Sequence, residues 1–532
     1  MPKRRAQRAG ERVDAVVIGA GAAGGVYAAR LARAGKRVVV LEAGPRWQLG
    51  DLVSSQLYAR RLKWRGGPVL GGGSDPIAHN MIMGSGVGGA ALHHYGTWPR
   101  MPADAFRMKS LYGRGLDWPF DYDALRPWYD RVQREVGISG DAQAEVFRPP
   151  GASYPMPPLR SFTHGKLLAE GFRKLGLPVA PLPLIINSVP YKGRAPCIYD
   201  GWCDAGCPTG ALGNPLFTYL RDSERDGATV QPNCEVTRLL TDDRGRVDAV
   251  EYVEAGERRV LTTRVAILAA SFVQNPRILL NSASSRFPTG LANSSGLVGA
   301  YLTAEAMAFV YGLFQQETEP YMGVSAGQFT HRSAGIRDPR HPRAFGGYQW
   351  QIAPAVKPND IFGIAVTRPD LFGARLRDFL LRASRHLAYM VGFAGGEPVR
   401  SNRLTLASDT DRLGMPLARV EHATDASALE TWRYLLEQGQ AVMQAAGSES
   451  MWTGPRATGH VIGGTIMGTD PAASVTDEFG RAHDVSNLFA AGAGLFPTGG
   501  GVGPTFTIHA VALRSVEHLL RHWSDCARPD LR

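Results

Sequence analysis

The sequence predicts an α/β protein that opens with a Rossmann-like dinucleotide-binding unit, and three observations carry that prediction. Residues 13–18, VDAVVI, form an apolar run of strand length; GAGAAG follows, with glycines at Gly19, Gly21 and Gly24; and a helical pattern, VYAARLARAG, runs to Gly35 before a second apolar run, RVVVLEAG. The order is strand, helix, strand. Gly19 permits the tight turn, Gly21 lets the backbone approach a pyrophosphate, and Gly24 lets helix and strand pack closely. The helix N-terminus offers its dipole to the anion. Glu42 ends the second strand, where a carboxylate accepts hydrogen bonds from an adenosine ribose. These features suit FAD and NAD equally.

Composition sets the bounds. The 532 residues are 44% apolar and 20% charged, enough for a large core and unlike a disordered or fibrous chain. With 63 glycines and 36 prolines, loops carry more of the structure than in a helical bundle. No run of about 18 apolar residues exists, which excludes a spanning helix. Arg4 and Arg5 precede the first strand without an apolar stretch, so the N-terminus is not a self-sufficient export signal. Such a chain either stays in the cytoplasm or is carried by a partner. The net charge of +11 reads as a solvated, arginine-rich face before it reads as a docking surface for an acidic partner. There is no internal repeat and no Lys-rich tract with interleaved aromatics, which argues against nucleic acid.

Three further segments identify the class of dinucleotide protein. GSGVGGAALHHYGTWPRM (84–101), RVAILAASFVQNPRILLNS (264–282), and the block from HVIGGTIMG at His460 to IHAVALR at Arg514 together resemble the GMC oxidoreductases, flavoenzymes named for glucose, methanol and choline. The resemblance spans most of the chain and is weakest from about 305 to 400. It implies FAD, extended across a domain assembled from non-contiguous segments, with an interleaved α+β substrate domain on an antiparallel sheet covering the isoalloxazine. It also implies that Gly19, Gly21, Gly24, Glu42, Gly88, Gly89, Gly492 and Thr505 lie along the FAD. His93 stands where some sugar-oxidising relatives attach the flavin covalently; packing beside the ring is the favoured alternative, and packing is also the reading for His94. On this basis the FAD domain comprises residues 12–130, 190–300 and 455–532, and the substrate domain 301–454. Residues 141–189, rich in Pro and polar residues, read as a surface excursion. SNRLTLASDTDRLGMPLARVEH (401–422) reads as two strands of the substrate sheet joined by an Asp and Gly turn, and 371–390 as a helix with a Leu and Phe stripe against the core.

Five cysteines are too few for a disulfide scaffold, and three of them cluster in APCIYDGWCDAGCPTGAL as Cys197, Cys203 and Cys207. Three thiolates on one loop suit a soft metal or an iron-sulfur centre. Structural zinc wants four ligands, so the count favours a 3Fe-4S cluster over a zinc site or three plain buried thiols. Within the GMC family the spacing is similar to the catalytic subunits of bacterial membrane-linked glucose dehydrogenases, which carry a three-iron cluster. A cluster beside a flavin takes electrons singly and passes them outward, which implies a dehydrogenase. Relatives of this type pair with a small subunit that supplies the export signal and with a cytochrome acceptor, so a periplasmic location by co-export is expected, with the cytoplasm as the alternative. Cys234 reads as core and Cys526 as incidental.

Alcohol oxidation by a flavin needs a base for the hydroxyl proton while the carbon hydride leaves. The resemblance places that base at His460. Where the family has an Asn or His as second member, this sequence has Gly503, so a contact that orients the alcohol is missing. A substituting side chain, remote contacts to a large substrate, or a changed reaction would each account for it; a water in the gap is favoured over His509, which reads as packing. Ala269–Ser271 replaces a glycine ending, and the histidine usual near Glu305 is absent. The expected activity is oxidation of a CH–OH group of a sugar, glycoside or polyol. An oxygen-using oxidase without iron, or a flavoprotein with weak alcohol chemistry, are the alternatives.

Overall fold

The computed structural model describes residues 12–63, 67–77 and 83–527; the Arg4–Arg5 pair lies outside the described residues. The strand Val13–Ile18 is apolar at every position except Asp14 and buried on both faces, as a central parallel strand must be. It pairs in parallel with Val38–Leu41 on one side and with the end of Glu257–Leu268 on the other. The helix Ala22–Arg33 makes the crossover between the first two strands. Gly19 has φ +102°, and a Cβ there would lie 2.5 Å from the Ala269 carbonyl oxygen, while a Cβ on Gly24 would lie 2.0 Å from the Gly19 oxygen. A side chain at Gly24 would push the helix off the strand, and one at Gly19 would run into the backbone at Ala269.

The sheet runs Thr229–Gln231, Val38–Leu41, Val13–Ile18, Glu257–Leu268, Val247–Glu254, Cys234–Thr241, with Leu488–Ala490 joining beside Glu257–Leu268. That long strand changes partners along its length. Residues 257–262 pair antiparallel with Val247–Glu254, and residues 263–268 pair parallel with Val13–Ile18. Leu488–Ala490 meets the same strand end, so the carboxyl edge of the sheet gathers three remote parts of the chain. The helix Thr505–Arg521 packs on Ala22–Arg33 and on Tyr122–Val136, where Tyr129 Oη and Thr507 Oγ1 are 2.6 Å apart.

A second, antiparallel sheet runs Ser450–Thr453, Thr303–Leu313, Leu387–Ala394, Tyr348–Ile352, Gln328–Arg332, Ala180–Pro181. The helix Ala426–Ala445 covers one face, capped by the Asp425 carboxylate, which accepts from Ser427 N–H and Ala428 N–H. Trp350 Nε1 donates to Gln438 Oε1 of that helix at 2.8 Å, and Gln438 Nε2 donates to Tyr348 Oη at 3.2 Å. Because side chains alternate along a strand, Gln349 and Gln351 face the other way. Burial of each large apolar side chain here contributes on the order of 2 kcal/mol.

Four expectations need correction. Residues 141–189 are not a surface excursion. The helix Thr163–Lys174 buries Leu168 and Phe172, four residues apart on one stripe, with Phe172 against Trp350, and Ala180–Pro181 adds the edge strand of the second sheet. The strand Ala457–Ile462, expected within the cofactor domain, pairs with Thr303–Leu313 of the antiparallel sheet. The hairpin Arg403–Thr410 and Pro416–Glu421 forms around Asp411 and Gly414, but its third strand is Val69–Gly72, in a separate small sheet. Leu404 and Val420 draw it there, because they pack with Ile77, Val273 and Leu302. The helix expected over 371–390 covers Ala374–His386, burying Phe379 and Ala383, and gives way to the strand Leu387–Ala394, whose apolar run is buried at nearly every position. No described helix is long and apolar enough to cross a membrane.

Candidate active site

The carboxyl edge of the first sheet forms a cradle of glycine turns. Glu42 is buried, and its carboxylate accepts from Ala20 N–H (2.9 Å), Gly44 N–H (2.9 Å) and Gly86 N–H (2.8 Å), tying three segments together. Burial pushes its pKa upward, opposed by these three donors. Gly88, at φ +112°, opens the short turn Gly89–Leu92, and a Cβ on Gly89 would lie 2.9 Å from Gly21 Cα, so the two glycine turns meet backbone to backbone. Gly492 (φ +100°) follows the strand Leu488–Ala490 with open space around its Cα, and Thr505 is the first residue of the helix Thr505–Arg521. Beside Glu42, the Gln231 Oε1 is a buried acceptor without a partner. Glycines of positive φ, a helix N-terminus, a buried carboxylate and an open acceptor along one sheet edge fit an extended dinucleotide such as FAD.

His460 and Glu305 meet at the boundary between the sheets. His460 lies on Ala457–Ile462 in a left-handed conformation (φ +46°), where the pairing with Thr303–Leu313 shifts register between Gly459 and Ile462. This turns its ring onto Phe393, centroids 4.9 Å apart, and brings Nδ1 to 2.5 Å from Glu305 Oε2. Glu305 is buried, which raises its pKa, and the His460 contact opposes that rise. A carboxylate at Nδ1 favours the proton on that nitrogen and leaves Nε2 with a lone pair. Glu305 was missed from sequence, where its strand was noted only for a missing histidine. A Cβ on Gly503 would lie 3.8 Å from His460 Cε1 and 3.5 Å from Thr97 Oγ1, so the absent Asn or His would have stood between them.

The other histidines divide by their contacts. His509 Nδ1 is 2.8 Å from the Thr505 carbonyl oxygen, and its ring lies tilted against Trp98 with centroids 4.6 Å apart; burial pushes its pKa down to about 4, as a packed, neutral histidine. His93 follows the Gly89–Leu92 turn with Nε2 buried and unpartnered, and burial, then Lys63, pushes its pKa down to about 4. His94 is held down to about 3 by burial, with both ring nitrogens unpartnered.

The cysteine trio shares one loop, but among the described residues it does not close into a metal-binding group. Tyr199 N–H donates to Cys197 Sγ at 3.3 Å and Leu212 N–H to Cys207 Sγ at 3.3 Å, while Cys203 is buried. Burial, followed by Cys197 and Cys207, pushes the Cys203 thiol well up, so the three sulfurs feel one another. Among the described residues, however, no group of three or more His, Cys, Asp or Glu side chains converges closely enough to hold a metal ion. The donor chemistry fits a cluster; in the described fold the arrangement does not close on a shared centre, and Cys197 and Cys207 each accept from a backbone N–H of their own turn. The same loop carries Asp204, buried between Lys63 Nζ (2.5 Å) and Lys357 Nζ (3.3 Å), a charge network the sequence did not reveal. Cys234 and Cys526 are buried. A basic cavity of about 410 Å³ lies elsewhere, lined by Arg30, Glu135, Arg194 and Tyr219 among others, and is remote from His460 in the fold.

Comparison with known proteins identifies the family. Two family models, each described as GMC oxidoreductase, match residues 13–302 and 398–512. The chain is 28% identical to the fructose dehydrogenase large subunit of Gluconobacter japonicus, covering 95% of this chain and 97% of that protein. It is 30% identical to paromamine 6'-oxidase of Streptomyces fradiae, covering 95% and 90%. Among solved structures, pyridoxine 4-oxidase from Mesorbium loti superposes with a TM-score of 0.67 at 17% identity, covering 96% of this chain and all of that one.

Proposed function

The chain belongs to the GMC oxidoreductase family and is an FAD-dependent oxidoreductase acting on CH–OH groups; from that premise we propose that it is a dehydrogenase of a sugar, glycoside or related polyol, with His460 as its base. The observation that carries the reading is the His460–Glu305 pair, 2.5 Å apart beside the opening at Gly503. In this reading Glu305 holds the proton on Nδ1, and Nε2 takes the hydroxyl proton as the carbon–hydrogen bond breaks. FAD, when bound, supplies the acceptor for the hydride and its electron pair. Phe393 fixes the plane of the imidazole by stacking on it. Anaerobic mixing with a panel of hexoses and hexitols tests the proposal: the flavin bleaches with at least one of them, and a flavin left oxidised by all of them overturns the reading.

The 3Fe-4S cluster belongs to the same proposal as a question of cofactor content. Its support is three thiols on one loop, two of them already accepting backbone N–H donors. In the described fold the sulfurs do not converge, so cluster loading would have to reshape residues 197–207 and thereby couple to local folding. Metal analysis of anaerobically purified protein tests this: about three irons per chain are expected, and flavin without iron removes the cluster. The relative called paromamine 6'-oxidase favours a second reading, an oxygen-using oxidase, which peroxide formation by iron-free enzyme would select. The relative called a large subunit supports a partner chain for this one, which in turn supports co-export to the periplasm; pull-down from the native host reads it out.

A further inference from the structure

We propose that Gln349, His331 and the Thr97–Gln351 pair form a hydroxyl-binding subsite reaching outward from His460, one that selects polyhydroxylated substrates over simple alcohols. The inference rests on the proposed function and adds which side chains choose the substrate. It starts from the register of the antiparallel sheet. Gln349 stands opposite Phe393 on one neighbouring strand and opposite His331 on the other, and cross-strand partners share a face. Phe393 is the residue on which His460 stacks. The cross-strand row therefore runs Met307, Phe393, Gln349, His331, with steps of about 5 Å between strands, and the base meets it at Phe393 by stacking, so Gln349 lies one strand beyond the ring that His460 stacks on.

The polar groups of this row are open. Gln349 is 0% exposed, yet neither its Nε2 nor its Oε1 has a hydrogen-bond partner among the described residues. His331, 7% exposed, has both ring nitrogens unpartnered, with Phe147 (4.9 Å) and Phe329 (6.3 Å) around its ring. Buried amides and imidazoles are nearly always satisfied in folded proteins, so a row of unsatisfied ones beside a catalytic pair points to a ligand that satisfies them. An amide with two donors and an acceptor, an imidazole, and flanking aromatic rings match the alternating hydroxyls and C–H faces of a sugar or cyclitol. They do not match an alkyl chain, which would leave them buried and unpaired.

On the adjacent row, Gln351 Nε2 donates to Thr97 Oγ1 at 3.4 Å, and that hydroxyl lies 3.5 Å from the Cβ position of residue 503. Thr97 thus offers a hydroxyl where the resemblance leads one to expect an Asn or His, and Gln351 orients it. Thr97 and Gln351 position the reacting hydroxyl, while Gln349 and His331 take the remote ones.

The test uses the holoenzyme and two probe classes, hexoses with their monodeoxy analogues and the monohydric alcohol cyclohexanol, read by anaerobic flavin reduction. Wild-type enzyme should prefer a hexose, and removing a remote hydroxyl should lower kcat/KM about tenfold to a hundredfold, mainly through KM. Gln349→Met should shrink the hexose-to-cyclohexanol preference by a similar factor. Thr97→Val should lower the reduction rate with both classes, Thr97→Ser should retain it, and Gly503→Asn should restore it in the Thr97→Val background. The deoxy series needs no variant, so a misfolded mutant does not decide the matter. Bleaching by a hexose with no loss across the deoxy series, or an unchanged preference in folded Gln349→Met, overturns the subsite while leaving the proposed function standing. Bleaching by neither class overturns both.

Discussion

The His460–Glu305 pair and the cysteine loop are both small constellations of reactive side chains, yet one converges and the other does not. His460 and Glu305 are separated by most of the second sheet in sequence, but adjacent paired strands, with a register shift between Gly459 and Ile462, bring them to 2.5 Å. Cys197, Cys203 and Cys207 are neighbours in sequence, and each follows its own turn: Tyr199 N–H and Leu212 N–H each satisfy a different sulfur, and Cys207 sits at φ +64°. Convergence comes from the ladder of a sheet and not from proximity along the chain. A loop without a ladder leaves its sulfurs where local hydrogen bonds put them until a ligand reorganises them.

The largest expected effect tests the convergent side. His460→Ala should slow substrate-driven flavin reduction by about a thousandfold or more, measured by anaerobic stopped flow, with flavin content unchanged. Glu305→Gln should cost roughly a hundredfold, since the residue acts through the histidine and not on the substrate. It should also alter the pH profile. Burial raises the Glu305 pKa; as pH falls through that raised value the carboxylate gains a proton and Nδ1 loses its anionic partner. Wild-type rate should therefore drop on acidification from above the usual carboxylate range, and that limb should vanish in the glutamine variant.

Cys203→Ser tests the divergent side. It should abolish any bound iron while slowing flavin reduction at least about tenfold less than His460→Ala does, because the thiols take no part in proton removal. A loss as large as that of His460→Ala would break the comparison. The smallest effect checks the premise that burial sets these carboxyls. Burial raises Glu145 from 4.5 to about 7, despite Tyr154 Oη donating to it at 2.7 Å. Because the folded value lies above the unfolded one, the protonated form is the stabilised one. Stability should fall as pH rises from about 4.5 to 7, by up to about 3 kcal/mol, and Glu145→Gln should flatten that window in thermal melts.

Much of the cofactor half was legible in the sequence because its determinants are local. The apolar run 13–18, the spacing of Gly19, Gly21 and Gly24, and Glu42 lie within one strand, helix, strand unit, and their roles follow from backbone sterics at adjacent residues. The substrate half was less legible. The helix Thr163–Lys174 was hidden in a Pro-rich stretch, and only the partner it covers, Trp350, reveals why Leu168 and Phe172 are apolar. Gln349 and His331 carry no motif, since an isolated glutamine or histidine in a strand reads as surface until its face is known.

By itself the sequence determined the dinucleotide unit and the family to which the chain belongs, because those rest on short-range spacing and on blocks that recur in order. Only the tertiary structure decided that Glu305 is the partner of His460, that Thr97 borders the opening at Gly503, and that three neighbouring cysteines do not face a common point. The physical reason is that a strand's register and a side chain's facing are set by hydrogen bonds and packing between residues hundreds of positions apart, and no local pattern encodes which strand will lie alongside.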